Sequence, residues 1–399
     1  MTKYIICLGD GMADEPLPSL EGKTPLQAAK IPNMDSLAKA GCVGEVKTVP
    51  EGLSPGSDVA NMGILGYDPR EFYTGRGPIE AASLKVRAAE NQVIFRCNLV
   101  TIQGSVMKDF TANHISSEES AVLLEELNNH FQNETTSFVP GVSYRNLLLL
   151  DKKFLELQCC APHDITDQEI GPFLPSGPFE NELASFLEAC HNILKQSAVN
   201  KKRIKKGLLP ATHIWPWSQG AMPKLPSFKT RFGKTGGIIT AVDLLKGLGQ
   251  LTGLETPSVK GATGFLDTNY SEKIKESLKI LETHDFVYIH VEAPDEAGHM
   301  GDETLKIKAI EDFDRNIIGP IKTYIANNKD CVLLILPDHP TPCSIKTHTS
   351  NPVPFILYFS GIQGNKETHY SEKEGQNSHL KYHAPWELLT DMFTKKPLC

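Results

Sequence analysis

Long apolar runs are missing from this sequence: no stretch approaches the roughly 20 apolar residues that a membrane-spanning helix requires. The opening segment, MTKYIICLGDGMADE, has too short an apolar part and too much acidic charge for a signal peptide. Basic charge is also scarce, because 40 Lys and Arg residues stand against 48 Asp and Glu residues. A protein that binds a nucleic-acid backbone normally presents a basic face, so the net charge of −8 argues against that partner. We therefore expect neither a membrane nor a nucleic-acid partner.

Paired cysteines are absent too. The nine cysteines follow no disulfide pattern, and the adjacent Cys159 and Cys160 are poorly placed to bond to each other. No CxxC motif is present, so a zinc site made of thiolates is not expected. An odd number of cysteines in a chain of this length is typical of reduced thiols, and we expect the protein in the cytoplasm.

What remains is the composition of an ordinary globular protein, with 40% apolar and 22% charged residues. At 399 residues the chain is long enough for one large core or for two domains. It contains no internal repeat and no low-complexity tract.

Strands and helices alternate in the second half of the chain. From residue 208 onward, apolar runs at 286–291 and 331–337 alternate with helical patterns at 269–284 and 305–328. Continuous apolar strands of this kind predict a mostly parallel, doubly wound α/β sheet that is covered by helices on both faces.

The middle of the chain lacks this rhythm. The elements predicted there and just before it are strands at 84–88, 92–100 and 144–150 and a helix at 179–198. The basic run 200–207 reads as a solvated helix end or linker. We therefore expect a discontinuous core domain, 1–87 and 206–399, and an inserted smaller α+β lid domain, 88–205.

Three predicted strands of the core end in side chains that bind metals. Asp10 directly follows the first strand, Asp295 follows FVYIHV, and Asp338-His339 follow CVLLILP. In a doubly wound sheet the carboxyl ends of the parallel strands share one edge, where ligands bind. We therefore expect these acidic and imidazole groups to meet in one crevice.

The spacing within these segments favours metal binding. Asp295 and His299 are four residues apart, so one helical turn places them on the same side. The polar loop KTHTSNPVPF adds His348, which brings the candidate ligands to six. Carboxylate and imidazole groups without thiolates favour Mn²⁺, Zn²⁺ or Mg²⁺, and this number of ligands is enough for two ions.

Each part has an ordinary structural alternative. Asp295 and His299 are also compatible with a helix N-cap and a surface histidine. Asp338 and His339 fit a simple turn, and Asp10 in GDG fits an Asx-turn. The coincidence of all three segments at strand ends is what favours a metal centre.

A candidate nucleophile lies in LSPGSDVANMG. Ser57 follows Pro-Gly at the expected start of a helix, where free backbone N–H groups and the helix dipole attract a phosphate. A metal ion lowers the pKa of a hydroxyl and so makes it nucleophilic without a nearby base. The alternative for Ser57 is a plain helix N-cap.

Together these residues resemble the alkaline phosphatase superfamily, and within it the cofactor-independent phosphoglycerate mutases of the archaeal type. The matching segments keep the same order over most of the chain: CLGDGMAD, PNMDSLAKAG, LSPGSDVANMGILGYDP, RGPIEA, GATGFLDTNY, APDEAGHMGD, PDHPTP and HTSNPVPF. The resemblance implies an alkaline-phosphatase-like α/β fold and a small phosphorylated substrate.

The resemblance also implies a two-metal centre and a phosphoserine mechanism that serves glycolysis and gluconeogenesis. Ser57 would take the phosphate of 3-phosphoglycerate and return it to the 2-hydroxyl of the retained glycerate, without 2,3-bisphosphoglycerate. Manganese is the expected metal, with Mg²⁺, Zn²⁺ and Co²⁺ as alternatives. The implied ligands are Asp295, His299 and His348 for one ion and Asp10, Ser57, Asp338 and His339 for the other.

A mutase has to retain glycerate while it excludes water, and this suits the inserted domain to the role of a lid. Arginine side chains bind carboxylate and phosphate groups through paired N–H donors. Taken alone, each candidate also fits a surface or structural salt bridge. The candidate substrate-binding residues are Arg76, Arg96, Arg145, His163, Asp164 and Lys229.

The chain departs from the archaeal mutases in two places. It reads LPDHPTP where they tend to have Gly-Asp-His and Ser, and it carries HIWPWSQG at 213–220. In these features it is more similar to a bacterial branch of the same family that has been proposed as homoserine kinase. No Walker loop is present, which counts against ordinary ATP binding.

Three alternatives to the mutase therefore stay open at this point. They are a homoserine kinase-like phosphotransferase in threonine biosynthesis, a metal-dependent phosphohydrolase, and a binding protein that has kept the fold. The sequence also leaves open whether the chain forms a homo-oligomer.

Overall fold

The computed structural model describes residues 2–361, 364 and 369–395. In this part of the chain the strands are β1 (Lys3–Gly9), β2 (Cys42–Val46), β3 (Gln92–Gln103), β4 (Val106–Asp109), β5 (Ser137–Val142), β6 (Arg145–Asp151), β7 (His213–Gly220), β8 (Gly236–Ile239), β9 (Phe286–Val291), β10 (Cys331–Leu336), β11 (Val353–Phe359) and β12 (Lys381–Tyr382).

The α-helices of the same residues are α1 (Pro25–Ala28), α2 (Pro32–Ala40), α3 (Ser57–Ile64), α4 (Pro69–Phe72), α5 (Arg76–Ser83), α6 (Ser117–Phe131), α7 (Glu180–Gln196), α8 (Ala198–Lys205), α9 (Phe228–Phe232), α10 (Asp243–Thr252), α11 (Tyr270–Thr283), α12 (Ala293–Met300), α13 (Glu303–Phe313), α14 (Gly319–Asn327), α15 (Glu372–Asn377) and α16 (Pro385–Thr394). A π-helical segment, Asp314–Ile318, joins α13 to α14. Short 3-10 turns lie at Pro18–Leu20, Lys152–Phe154, Pro162–Ile165 and Gly171–Phe173.

Two compact units make up the chain: a core unit, Met1–Tyr73 with Leu225–Cys399, and an insert unit, Thr74–Lys224. The boundaries expected from the sequence, at residues 88 and 205, lie inside the insert unit. The difference arises because α5 and β7 pack with the insert. β7 is hydrogen-bonded to β3 along most of its length, and Ala81 of α5 lies in one apolar cluster with Ile94.

The core unit is built on a seven-stranded sheet in the order β12-β2-β11-β10-β1-β9-β8. β1 is parallel to both of its neighbours, β10 and β9, and β9 is parallel to β8. β11 is antiparallel to β10 and β2. Every residue of β9 and β10 is buried, as expected for strands of a sheet that is covered on both sides. The mostly parallel α/β fold predicted from the sequence is confirmed.

Helices cover both faces of this sheet. On one face, Phe313 at the end of α13 shares a buried apolar cluster with Ile5 of β1. On the other face, Phe228 of α9 stacks on Phe286 of β9 with ring centroids 4.7 Å apart. The apolar side chains of each strand therefore have partners in both directions, which leaves the strand ends as the polar part of the sheet.

The insert unit is an α+β fold. All the strand pairs of its five-stranded sheet are antiparallel, and β3 pairs with β4, β6 and β7. Helices α6 and α7 pack on the sheet, with Leu124 and Leu194 in one buried cluster with Phe95 of β3.

One local prediction in this unit is wrong. Residues 84–88 are not a strand: they follow the end of α5, where Lys85 has a positive φ of 57° and the Val86 N–H donates to the Ala81 carbonyl. The basic run 200–207 is a helix end, as predicted: it forms most of α8 and its lysines are exposed, whereas Arg203 is buried. The Arg203 guanidinium donates to the backbone carbonyl of Leu209 at 3.0 Å, so this arginine satisfies interior carbonyls.

Seven cysteines of the described chain are free thiols. Among the described residues, no helix has the length and apolar character that crossing a bilayer would require.

Candidate metal centre and active site

Metal-binding side chains gather at one edge of the core sheet. Asp10 directly follows β1, and Asp338 and His339 follow β10 after a single proline. Helix α12 begins two residues after β9 and carries Asp295 and His299. Because β1, β9 and β10 are parallel neighbours, these strand ends open on the same side. The side chains at these strand ends lie close together, as predicted.

Asp295, His299 and His348 form the first cluster, called here the Asp295 group. His299 Nε2 lies 3.2 Å from Asp295 Oδ2 and 2.9 Å from His348 Nε2. His348 Nε2 is 3.5 Å from Asp295 Oδ1. Two imidazole nitrogens and a carboxylate thus face a common point, an arrangement suited to a divalent ion.

Backbone contacts and charge prepare this group for a cation. His299 Nδ1 lies 3.0 Å from the carbonyl oxygen of Lys346, which can only accept, so Nδ1 carries the proton and Nε2 is free to bind when the ring is neutral. Burial opposes ionisation of Asp295. Hydrogen bonds from His299 and His348 nevertheless outweigh burial and hold the pKa of Asp295 well below its usual range.

Asp10, Asp338 and His339 form the second cluster, the Asp10 group, and all three are fully buried. His339 Nε2 lies 3.6 Å from Asp10 Oδ1 and 3.4 Å from Asp338 Oδ2. The two groups adjoin, since the rings of His339 and His348 are 4.1 Å apart. The structure therefore brings all six predicted ligands together at one place.

The Asp10 carboxylate has too few positive charges and hydrogen-bond donors around it. Its Oδ1 is buried and has no hydrogen-bond partner among the described residues. Burial raises the pKa of Asp10 well above its usual value, and the charges of Asp338, Glu292 and Asp295 raise this pKa further. A buried carboxylate among three others needs a cation, and the donor set of carboxylates and imidazoles fits a divalent ion.

Ser57 lies beside the Asp10 group. It is the first residue of α3, and its Oγ is 3.2 Å from His339 Nε2. It therefore lies at the N-terminus of a helix, as the sequence predicts, where backbone N–H groups without intrahelical partners attract anions. The hydroxyl is therefore placed at the junction of a metal-binding group and a helix N-terminus.

Some residues of this edge were not singled out from the sequence. Asn61 donates to Asp338 Oδ2 at 2.8 Å, and the Tyr288 hydroxyl donates to Asn61 Oδ1 at 2.5 Å. His290 and Glu292 form a third cluster with Asp10, and His290 Nε2 is 2.8 Å from Asp10 Oδ2.

The sequence contains little that would identify these residues as part of the site. His290 and Tyr288 sit inside an apolar strand, where they read as core, and Asn61 reads as an ordinary residue of a short helix. Burial lowers the pKa of His290 to about 3, so its imidazole is a neutral hydrogen-bonding group. Glu292 could have been identified as a candidate site residue, because it directly follows β9.

In the insert unit, two of the predicted substrate-binding arginines share one acid. Arg76 Nε and Arg96 Nε each lie 2.9 Å from an oxygen of Glu80. The Arg96 guanidinium also lies 4.1 Å from the ring of Trp217. Burial lowers the pKa of Arg96 to about 10, and the charges of Arg76 and Arg145 contribute to that lowering. The three arginines are therefore close enough to interact.

His163 and Asp164 belong to the same cluster. The ring of His163 lies 5.3 Å from that of Trp217, and its Nε2 is 3.6 Å from Asp164 Oδ1. Burial lowers the pKa of His163, as do the nearby charges of Arg96 and Arg76, whereas Asp164 raises it. Lys229 differs from the other five candidates because it lies in the core unit, where it is exposed on α9.

Comparison with known proteins gives sequence relatives over almost the whole chain. A sequence model of the family described as 2,3-bisphosphoglycerate-independent phosphoglycerate mutase matches residues 38–200. A protein of that name from Methanosarcina mazei is 49% identical over 358 residues, which is 89% of this chain and 90% of the relative. A protein from Geobacter sulfurreducens, named as a probable member, is 43% identical over 398 residues, 98% of this chain and 100% of the relative.

Solved structures agree with the sequence relatives. The fold is similar to that of the PH0037 protein from Pyrococcus horikoshii, with a TM-score of 0.82, 26% identity, and coverage of 100% of this chain and 99% of that one. It is also similar to the cofactor-independent phosphoglycerate mutase from Thermoplasma acidophilum, with a TM-score of 0.68, 27% identity and 100% coverage of both chains. The similarity therefore includes both units of the chain.

Proposed function

The chain belongs to the family of 2,3-bisphosphoglycerate-independent phosphoglycerate mutases, and we propose that it interconverts 3-phosphoglycerate and 2-phosphoglycerate through a phosphoserine at Ser57. Membership confirms the enzyme class expected from the sequence, a metal-dependent isomerase that needs no bisphosphoglycerate. The homoserine kinase-like alternative has less support, because the two sequence relatives and the Thermoplasma acidophilum structure reported above carry the mutase name.

The position of Ser57 is the observation that carries the mechanism. Its Oγ lies 3.2 Å from His339 Nε2, and it is the first residue of a helix whose N–H groups can bind phosphate oxygens. In the proposed forward step, Ser57 Oγ bonds to phosphorus as the bond to the 3-oxygen of glycerate breaks. That oxygen gains the proton that the serine loses. In the second step the 2-hydroxyl of glycerate takes the phosphoryl group back and returns a proton to Ser57.

Two divalent ions would be held by the chain's own ligands, one by the Asp295 group and one by the Asp10 group with Ser57. When bound, such a pair of ions stabilises negative charge on the attacking and leaving oxygens. Mixed carboxylate and imidazole ligands support Mn²⁺ as the metal, with Mg²⁺, Zn²⁺ and Co²⁺ as alternatives.

The insert unit would hold the glycerate between the two steps. Arg76, Arg96 and Arg145 offer guanidinium groups for its carboxylate or phosphate, and Glu80 keeps the first two in place. His163 and Asp164 would bind the glycerate hydroxyls, and Lys229 in the core unit would contribute a further positive charge. Exclusion of water by this unit would separate a mutase from a phosphatase. A role in glycolysis in the cytoplasm is part of the same proposal.

A side-by-side assay tests the proposal. Purified protein is supplied with 3-phosphoglycerate, Mn²⁺ and enolase, without 2,3-bisphosphoglycerate, and in parallel with homoserine and ATP. We expect turnover in the first assay only, and an acid-quenched sample should carry one phosphate on the peptide that contains Ser57. Turnover of homoserine alone would replace the mutase by the kinase, and release of inorganic phosphate alone would favour the phosphohydrolase.

A further inference from the structure

The hydroxyl of Thr341 contacts a member of each metal-binding group. Its Oγ1 lies 2.5 Å from Asp295 Oδ1 and 3.2 Å from His339 Nδ1. Thr341 is fully buried, so no water competes for these contacts from the surface. The two groups share no ligand residue, and this hydroxyl is a direct link between them.

The direction of the protons follows from the partners. Asp295, as an ionised carboxylate, can only accept, so Thr341 has to donate its single hydroxyl proton to Asp295 Oδ1. Toward His339 the Thr341 oxygen can then only accept, and His339 Nδ1 has to carry a proton. A neutral His339 therefore has a bare Nε2, the nitrogen that lies 3.2 Å from Ser57 Oγ.

A buried lysine fixes the backbone at this position. Lys306 Nζ donates to Ala13 O at 3.1 Å, to Asp14 Oδ2 at 2.7 Å and to Thr341 O at 2.8 Å, so all three of its protons are used. The Thr341 N–H also donates to Ala13 O at 3.2 Å. The segment after β1 and the segment after β10 are thereby held together behind the metal-binding groups.

Two glycines leave the space that Thr341 occupies beside Asp295. A Cβ atom at Gly11, which has a φ of +58°, would lie 2.5 Å from both Asp295 Oδ1 and Thr341 Oγ1. A Cβ at Gly298 would lie 2.4 Å from Thr341 O. Real Cβ atoms do not approach so closely, so glycine at both positions is what allows the hydroxyl to reach Asp295 and His339 together.

We propose that Thr341 is a positioning residue that serves both metal sites at once, by fixing the tautomer of His339 and the orientation of Asp295. The inference rests on the two-metal centre of the proposed function. It predicts that the loss of one hydroxyl, from a residue that would bind neither ion, weakens the binding of both.

Matched substitutions test this inference. Thr341→Val keeps the shape and removes the hydroxyl, Thr341→Ser keeps the hydroxyl, and Thr48→Val is the control because Thr48 is a buried threonine whose hydroxyl has no hydrogen-bond partner among the described residues. Metal-free protein is titrated with Mn²⁺ in competition with a chromogenic chelator. Residues that orient metal ligands typically contribute roughly 10–100-fold in affinity. We expect a loss of that size at both sites in Thr341→Val, and near wild-type binding in Thr341→Ser and Thr48→Val.

Several results would overturn the role of Thr341. They are wild-type affinity in Thr341→Val, an equal loss in Thr341→Ser, or a loss at one site only. If Thr341→Val does not fold, long-range ¹H–¹⁵N NMR of His339 in the wild-type protein decides instead: a proton on Nδ1 supports the inference, and a proton on Nε2 with a bare Nδ1 refutes it. A wild-type protein that binds no Mn²⁺ would instead refute the two-metal centre itself.

Discussion

The side-chain amide of Asn61 joins helix α3, which begins at Ser57, to the segment after β10 that carries Asp338. Its Nδ2 donates to Asp338 Oδ2 and to the backbone carbonyl of Ser57, both at 2.8 Å. Tyr288 donates to the other side of the same amide, and Asn61 is fully buried. The amide therefore fixes the position of Ser57 relative to the Asp10 group.

Substitution of Asn61 should slow turnover more than it weakens substrate binding. Asn61→Ala removes the donor to Asp338, and we expect kcat to fall roughly 10–100-fold, the range typical of residues that orient metal ligands. Tyr288→Phe leaves the amide in place but free to rotate, so its effect should be in the same direction and smaller. Steady-state kinetics with 3-phosphoglycerate measure kcat and KM of both variants. An unchanged kcat in Asn61→Ala would mean that Asn61 does not position Ser57 for catalysis.

Ser57→Ala should abolish turnover while the Asp295 group still binds its ion. The substitution removes the oxygen that would form the phosphoserine, and it touches no residue of that group. The coupled assay measures turnover, and a Mn²⁺ titration measures binding. Ser54→Ala, at an exposed serine in the loop just before α3, is the control and should behave like the wild type. Mutase activity in Ser57→Ala would exclude the phosphoserine mechanism.

Removal of metal should inactivate the enzyme and lower its melting temperature. Asp10, Glu292, Asp295 and Asp338 are buried or nearly so and lie close enough to affect one another's charge. Ions that bind only the folded state stabilise it, so the Tm should fall after treatment with EDTA and recover with Mn²⁺. Activity should follow the same course. Full activity after dialysis against the chelator would contradict a role for the two groups in catalysis.

The candidate metal ligands could be predicted because they lie at positions that the sequence pattern identifies, after apolar strands or one helical turn apart. Asp10 and the Asp338-His339 pair directly follow apolar strands, and the four-residue spacing of Asp295 and His299 is one turn of α12. Parallel strand order then makes the ends meet, without any need to know the loops.

The supporting residues could not be predicted in the same way. Thr341 and Asp295 are 46 residues apart in the sequence, and Asn61 and Asp338 are 277 residues apart. The periodicity of a single helix or strand cannot predict contacts between residues so far apart. The limits of the insert unit were missed for a related reason. Its strand β7, HIWPWSQG, contains a proline and aromatic residues instead of a clear alternation, and only pairing with β3 assigns it to the insert.

Arg96→Lys should raise the KM for 3-phosphoglycerate. Lysine keeps the charge but loses the planar group that lies on Trp217 and the Nε donor to Glu80. A hydrogen bond between charged groups contributes about 1.5–3 kcal/mol, so we expect KM to rise roughly tenfold or more. Mn²⁺ affinity should not change, because Arg96 belongs to the insert unit and the ligands to the core unit. Arg87→Lys, at an exposed arginine of the same unit, is the control, and an equal KM in both variants would contradict substrate binding by Arg96.

Acid should destabilise the insert unit through His213. The rings of His213 and His191 are stacked 4.1 Å apart, and burial, together with the charge of His191, lowers the pKa of His213 from 6.5 to about 4. Between these two pH values the unfolded chain binds a proton at this position that the folded chain does not. The free energy of unfolding should therefore fall as the pH decreases from about 6.5 to about 4, and this contribution should not change further below that.

Urea titrations followed by tryptophan fluorescence test this pH dependence, since Trp215 and Trp217 lie on the same strand as His213. His213→Gln cannot take up the proton, so its stability should change less with pH than that of the wild type over this range. His130→Gln removes an exposed histidine of the same unit and should leave the pH dependence unchanged. Equal slopes in the wild type and His213→Gln would mean that another group causes the acid sensitivity. A slope of opposite sign would mean that the folded state favours the charged form of His213, which its burial beside a second imidazole argues against.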